Sequence, residues 1–97
     1  MEFFNIVFDG DFDDVDIIAV PNEIALKMEQ LGQEFLYWLP SAKEEDYWTI
    51  INGKTCLVAE TTGFINWLNV FYCKGVEKAY VEETHKKYNP LYRIIDF

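Results

Sequence analysis

Five aspartates stand within eight residues, Asp9, Asp11, Asp13, Asp14 and Asp16 in the stretch NIVFDGDFDDVDII. Clustered carboxylates can ligate a hard cation, attack phosphorus, or present negative field to another macromolecule. Counted from Asp9, acids fall at positions 1, 3 and 5 of a calcium loop. Its glycine position holds Asp14 and its bidentate glutamate position holds Val20, so an EF-hand is excluded. Taken singly, each aspartate fits a solvated connection between strands, where its side chain favours turns. Taken together, five like charges repel, and the first basic residue of the chain is Lys27. His85, the only histidine, stands beside Lys86 and Lys87 and reads as surface decoration. Ser41, the only serine, has no recognisable base, and neither a Gly-rich phosphate cradle nor metal-ligand spacing is present. These patterns call for no cofactor or metal and for no catalytic residue.

NIVFDGDFD resembles the first motif of haloacid-dehalogenase-type phosphatases, an apolar strand ending in Asp-x-Asp. The resemblance implies Asp9 as nucleophile and Asp11 as general acid. Asp13 departs from it, standing where threonine or valine is usual. A chain of 97 residues is also short for that family's doubly wound domain.

Two further acidic groups are Glu44, Glu45 and Asp46, which precede Tyr47 and Trp48, and the pair Glu82 and Glu83. Acids beside aromatics suit an interface, where charge steers encounter and Tyr or Trp anchors the complex. The net charge of −9 opposes direct contact with nucleic acid, whose phosphates it would repel. It does not oppose binding to a protein that itself binds nucleic acid.

The elements that must position these groups follow from hydrophobic period. With 51% hydrophobic and 18% aromatic residues, the chain is rich enough in apolar side chains for one domain over residues 1–97. Phe3–Phe8 and Val15–Val20 read as strands. Ile24, Met28, Leu31, Phe35 and Leu39 form one stripe of a helix that Asn22 caps and Pro40 ends. Gly32 inside that helix implies a close neighbour. Asn52-Gly53 marks a two-residue hairpin that sets Trp48 opposite Leu57, Ile50 opposite Thr55 and Ile51 opposite Lys54. Apolar groups on both of its faces imply central strands. Phe64, Trp67, Leu68 and Phe71 give a second helix, capped by Thr61 or Thr62 and closed by Gly75. EKAYVEE and LYRIIDF read as two last strands joined by the loop THKKYNP. The expected fold is α+β in the order ββαββαββ, with one mainly antiparallel sheet of about six strands and two helices. Cys56 and Cys73 are too few and too far apart for a disulfide framework and read as packing residues. No signal-like start or membrane-length apolar run is present, so the expected location is the cytoplasm, with no membrane partner.

From Asp46, the segment DYWTIINGKTCLVAETTGFINWLNVFYCKGVEKAYVEE is similar to small immunity proteins of contact-dependent growth inhibition and related polymorphic toxin systems. The resemblance implies a bacterial protein that binds a toxin domain, often a basic nuclease, one to one and as a monomer, and neutralises it without catalysis. Interface candidates on that reading are Asp9, Asp11, Asp13, Asp14, Asp16, Glu44, Glu45, Asp46, Tyr47, Trp48, Glu82 and Glu83. The alternatives are a DNA-mimicking anti-restriction or anti-CRISPR inhibitor and a small phosphatase built on Asp9 and Asp11.

Overall fold

The computed structural model describes residues 1–42, 47–57, 59–75 and 77–97. Among these residues ten short elements follow one another: β1 (Glu2–Val7), β2 (Val15–Val20), α1 (Asn22–Ala25), α2 (Met28–Trp38), a 3-10 turn (Leu39–Ser41), β3 (Trp48–Ile51), β4 (Lys54–Leu57), α3 (Thr61–Phe71), β5 (Tyr80–Lys86) and β6 (Arg93–Asp96). The class is α+β, as the alternation of periods implies. The sheet, however, is smaller and differently wired than expected.

Four strands form the main sheet in the order β5-β2-β1-β6, and β3-β4 stands apart as a two-stranded ribbon. β1 pairs antiparallel with β2 and parallel with β6, while β2 pairs antiparallel with β5. The sheet is therefore mixed. β5 and β6 run in the same direction on opposite edges, so no hairpin can join them. Residues 87–92 instead cross the face of β2 and β1. Short connections suggested neighbouring antiparallel strands, and here a short connection is a crossover.

Pleating gives each central strand two buried faces, which is why β1 and β2 are apolar almost throughout. Phe4, Ile6, Ile18 and Val20 face the helices and join Met28, Leu31, Phe35, Phe64 and Leu68 in the main core. Val7, Val15 and Ile17 face the other way, beneath Phe3 and Tyr92, whose rings stack at 5.3 Å. Asn5 points to this second face and is fully buried. Its Nδ2 donates to the carbonyls of Asn89 (2.9 Å) and Tyr92 (3.0 Å), and its Oδ1 accepts from Asn89 N–H (2.8 Å). One side chain thus satisfies the backbone of the crossover.

The stripe Ile24, Met28, Leu31, Phe35 and Leu39 is buried throughout. The helix carrying it is interrupted at Leu26 and Lys27, where α1 ends and α2 starts. Arg93 reaches the carbonyl of Ala25 freed by that break (3.3 Å). Asn22 opens α1 but makes no capping bond, because Pro21 occupies the cap. Gly32 has the expected close neighbour: a Cβ there would lie 3.2 Å from Ile95 Cγ2 and 3.5 Å from the Phe97 ring. This absence of a side chain lets β6 pack against α2.

The hairpin register is as expected, Trp48 to Leu57, Ile50 to Thr55 and Ile51 to Lys54, with positive φ at Asn52 (52°) and Gly53 (78°). Its strands are not central. Ile50 is 72% exposed, because the ribbon pairs only with itself. α3 begins at Thr61 behind an uncapped Glu60 and ends at Phe71, so neither threonine is the cap and Gly75 lies beyond the helix end. Phe64, Trp67 and Leu68 are buried, whereas Phe71 and Tyr72 remain partly exposed. Tyr72 donates to Glu34 Oε2 (2.5 Å), tying the end of α3 to α2 and holding the Glu34 carboxyl below its ordinary range. β5 starts three residues later than expected and runs through His85 and Lys86, so Glu82 and Glu83 sit within the strand. Among the described residues no helix is long and apolar enough to cross a membrane.

Candidate functional site

The turn after β1 is built from aspartate and glycine for conformational reasons. Asp9 (φ 55°) and Gly10 (φ 69°) both take positive φ, and Asp11 N–H donates to the Phe8 carbonyl (3.1 Å). Such a turn selects Asp-Gly as the hairpin selects Asn-Gly. Asp11 Oδ1 then accepts from Asp13 N–H (3.1 Å). Asp14 Oδ1 meets His85 Nδ1 at 2.9 Å. One aspartate carboxylate, that of Asp11, is thereby bonded to the local backbone and a second, that of Asp14, to β5.

His85 owes its position to irregular pairing. The β2-β5 register shifts between Val15 and Ile17, where Lys86 is followed by Glu83, and His85 itself has a φ of 55°. A bulge of this kind re-aims a side chain and marks an edge strand. The bond and charge of Asp14 raise the His85 pKa above its ordinary value, with Asp16 adding to the effect.

Phe8, Asp9, Asp11, Asp14, Asp16, Ala59, Glu60, Thr61, Thr62 and His85 line one open hollow of about 430 Å³. Stretches distant in sequence meet there: the β1-β2 connection with the start of β2, the first turn of α3, and β5. Thr61 is 4% exposed, and its Oγ1 is buried without a hydrogen-bond partner. Among the described residues no three acidic, cysteine or histidine side chains gather closely enough to hold a metal ion. The carboxylates surround the space rather than converge on one point.

Of the residues expected at an interface, Asp9, Asp11, Asp14 and Asp16 come together here. Asp13, Glu82 and Glu83 are exposed but do not line the hollow. Glu44, Glu45 and Asp46 lie outside the described residues, as does the side chain of Trp48. Tyr47 is turned inward at 4% exposure, its ring against Trp38 and Phe35 and its hydroxyl accepting from Asn66 Nδ2 (2.7 Å), so it is a core residue and not a surface anchor. Glu60, Thr61, Thr62, Phe8 and His85 were not anticipated. The segment AETTG drew attention for helix capping and as part of the resemblance to immunity proteins, and its approach to the aspartates depends on tertiary packing that no local spacing encodes.

No family model, curated protein or solved structure matches the chain. The phosphatase resemblance gains little from the sheet: the strand that ends near Asp9 is flanked on one side by an antiparallel neighbour, whereas a doubly wound domain would place parallel strands there.

Proposed function

We propose that this protein is a stoichiometric inhibitor, an immunity protein in kind, that captures a basic toxin domain through its acidic hollow. The observation that supports the reading most is the meeting of Asp9, Asp11, Asp14, Asp16 and Glu60 around one open space. Turn formation needs one aspartate and one glycine. It does not need five carboxylates from separate elements facing a common void. A nuclease must present positive charge to phosphate, and an acidic protein competes for that surface. Opposed fields also raise the rate of encounter, which decides whether a toxin is intercepted before it acts.

Rescue of cells expressing the toxin domain, to be sought first in the product of the adjacent gene, tests the reading directly. In stopped-flow measurements with that toxin domain, Asp11→Asn with Asp16→Asn is expected to slow association by roughly 10-fold at low salt. The difference should shrink as added salt shortens the screening length. Phosphate release from an aryl phosphate that disappears in a folded Asp9→Asn variant would overturn the proposal.

A further inference from the structure

We propose that the free edge of β6 takes one more strand from a partner protein, an extended segment whose side chains alternate between apolar and cationic. This edge shares no residue with the acidic hollow, and nothing in the inhibitor reading is needed for it. The two edges of the main sheet differ. Along β5 the register on β2 shifts twice, His85 takes positive φ, and Glu82, Glu83, His85 and Lys86 are exposed. Bulges and charges of this kind keep an edge from pairing further. The β6 edge carries no such irregularity. Arg93 to Asp96 run in continuous register with Phe4 to Val7, and among the described residues no strand lies beyond them.

Backbone geometry says which groups are free. Phe97 N–H donates to the Val7 carbonyl (2.9 Å). In a parallel ladder the N–H and C=O of one residue point to the same side, and the side alternates along the strand. Ile95 is therefore turned to β1 with Phe97, and the N–H and C=O groups of Ile94 and Asp96 face outward. Beside them lies a hollow of about 270 Å³ between β6 and α2, where Gly32, Gln33 and Leu36 form the helix side. Leu36 is 40% exposed and Ile94 37%, so both flanks of the hollow offer apolar surface. An extended chain bonded to the outward groups of an edge strand, with alternate side chains set against a helix, is the geometry of strand addition.

Charge chooses the occupant. Glu29 and Asp96 stand at this hollow, on a chain of net charge −9. Arg93 is engaged inward, over the Phe4 ring (5.3 Å) and on the Ala25 carbonyl, and comes no nearer than 3.8 Å to Glu29. A second copy of this chain would set the same carboxylates against each other, which like charges oppose. A cationic strand meets them instead. Register supplies the pattern, since Ile95 pairs with Ile6 on the helix side and Ile94 and Asp96 lie on the opposite side. The added strand then sets apolar side chains toward Leu36 and a lysine or arginine beside Asp96.

The probe is the peptide acetyl-Lys-Val-Lys-Val-Lys-Val-amide, titrated into the full chain at low salt and followed by amide NMR and hydrogen exchange. Saturable shifts are expected at Gly32–Leu36 and Ile94–Phe97. At saturation the Ile94 and Asp96 amides should exchange at least about 5-fold more slowly, while the Ile95 amide, already turned to β1, should change by less than about 2-fold. Only alternate N–H groups of the peptide face β6. Methylating the backbone nitrogens of the valines or of the lysines should therefore weaken binding by at least about 10-fold in one case and by less than about 2-fold in the other. Leu36→Ser and Asp96→Asn should each weaken it by about 3-fold. Glu82→Gln, an equal change of charge on the bulged edge, should weaken it by less than about 2-fold. Absence of saturable shifts at Ile94–Phe97 would overturn the proposal, and so would equal losses from the two methylated peptides. Equal affinity for acetyl-Glu-Val-Glu-Val-Glu-Val-amide would remove the cationic occupant. Slowed exchange of Ile94 and Asp96 in the concentrated protein alone would replace the partner by a second copy.

Discussion

Asn5 and Thr61 are the two buried polar residues among those described, and they differ in one respect. Asn5 is bonded to the crossover through both ends of its amide, whereas Thr61 Oγ1 has no partner. Desolvation penalises any polar group that loses water, and only a hydrogen bond offsets it. At Asn5 the offset is complete, and the residue acts as a structural pin between a central strand and the segment that covers it. At Thr61 the cost is retained by the fold. Thr61 stands in the wall of the acidic hollow, with its hydroxyl oxygen closed to solvent.

The contrast predicts opposite responses to removing the polar atoms. Asn5→Ala leaves the Asn89 N–H and the carbonyls of Asn89 and Tyr92 without their partner beneath a covered face. A loss of about 2–4 kcal/mol is expected, read as a lower urea midpoint at unchanged slope. Residues 87–92 should also become sensitive to protease before the helices do. Thr61→Val keeps the shape and removes the orphan oxygen. Its stability should be unchanged or higher by up to about 1 kcal/mol, as replacing an unsatisfied buried hydroxyl by a methyl allows. A loss of 2 kcal/mol or more at Thr61→Val would mean that the hydroxyl contributes to the fold after all and would erase the contrast.

How much of this was legible depends on how local each signal is. The Asn52-Gly53 hairpin was readable to the residue, because a two-residue turn fixes its own register. So was the buried stripe from Ile24 to Leu39, which periodicity alone specifies. The break at Leu26 and Lys27 was not, since the stripe continues across it and the freed carbonyl is met by Arg93, far away in the chain. Strand order was beyond local patterns. Nothing in Asn5 announces that it will hold Asn89, and a polar residue in an apolar run carries no address for its partner. The candidate site shows the same division. The aspartates were conspicuous by spacing, but His85 looked like surface decoration because its partner, Asp14, lies 71 positions away. The Asp9-Gly10 turn and the Asn52-Gly53 turn use the same backbone chemistry. Only the first lies beside a helix start and an edge strand, and that placement is what separates a connection from a candidate site.

His85 gives the smallest effect and the finest distinction between pin and site. Its pKa is raised in the folded chain, first by the hydrogen bond to Asp14 and then by that carboxylate's charge. A raised value means that the pair's contribution to stability is full below the ordinary histidine value of 6.5 and is lost as pH rises through the folded-state value. Both side chains are well exposed, so the contribution is small. The stability difference between the native chain and His85→Gln should therefore be larger at about pH 6 than at about pH 8.5. The hollow responds in the opposite sense. A protonated imidazole beside Asp14 and Asp16 subtracts from the field shared with Asp9, Asp11 and Glu60, so a basic toxin domain should associate more slowly at the lower pH. In His85→Gln both trends should flatten together, because one proton firms the edge strand and makes the hollow less negative. A pH trend in binding that survives intact in His85→Gln would leave His85 with the structural part alone.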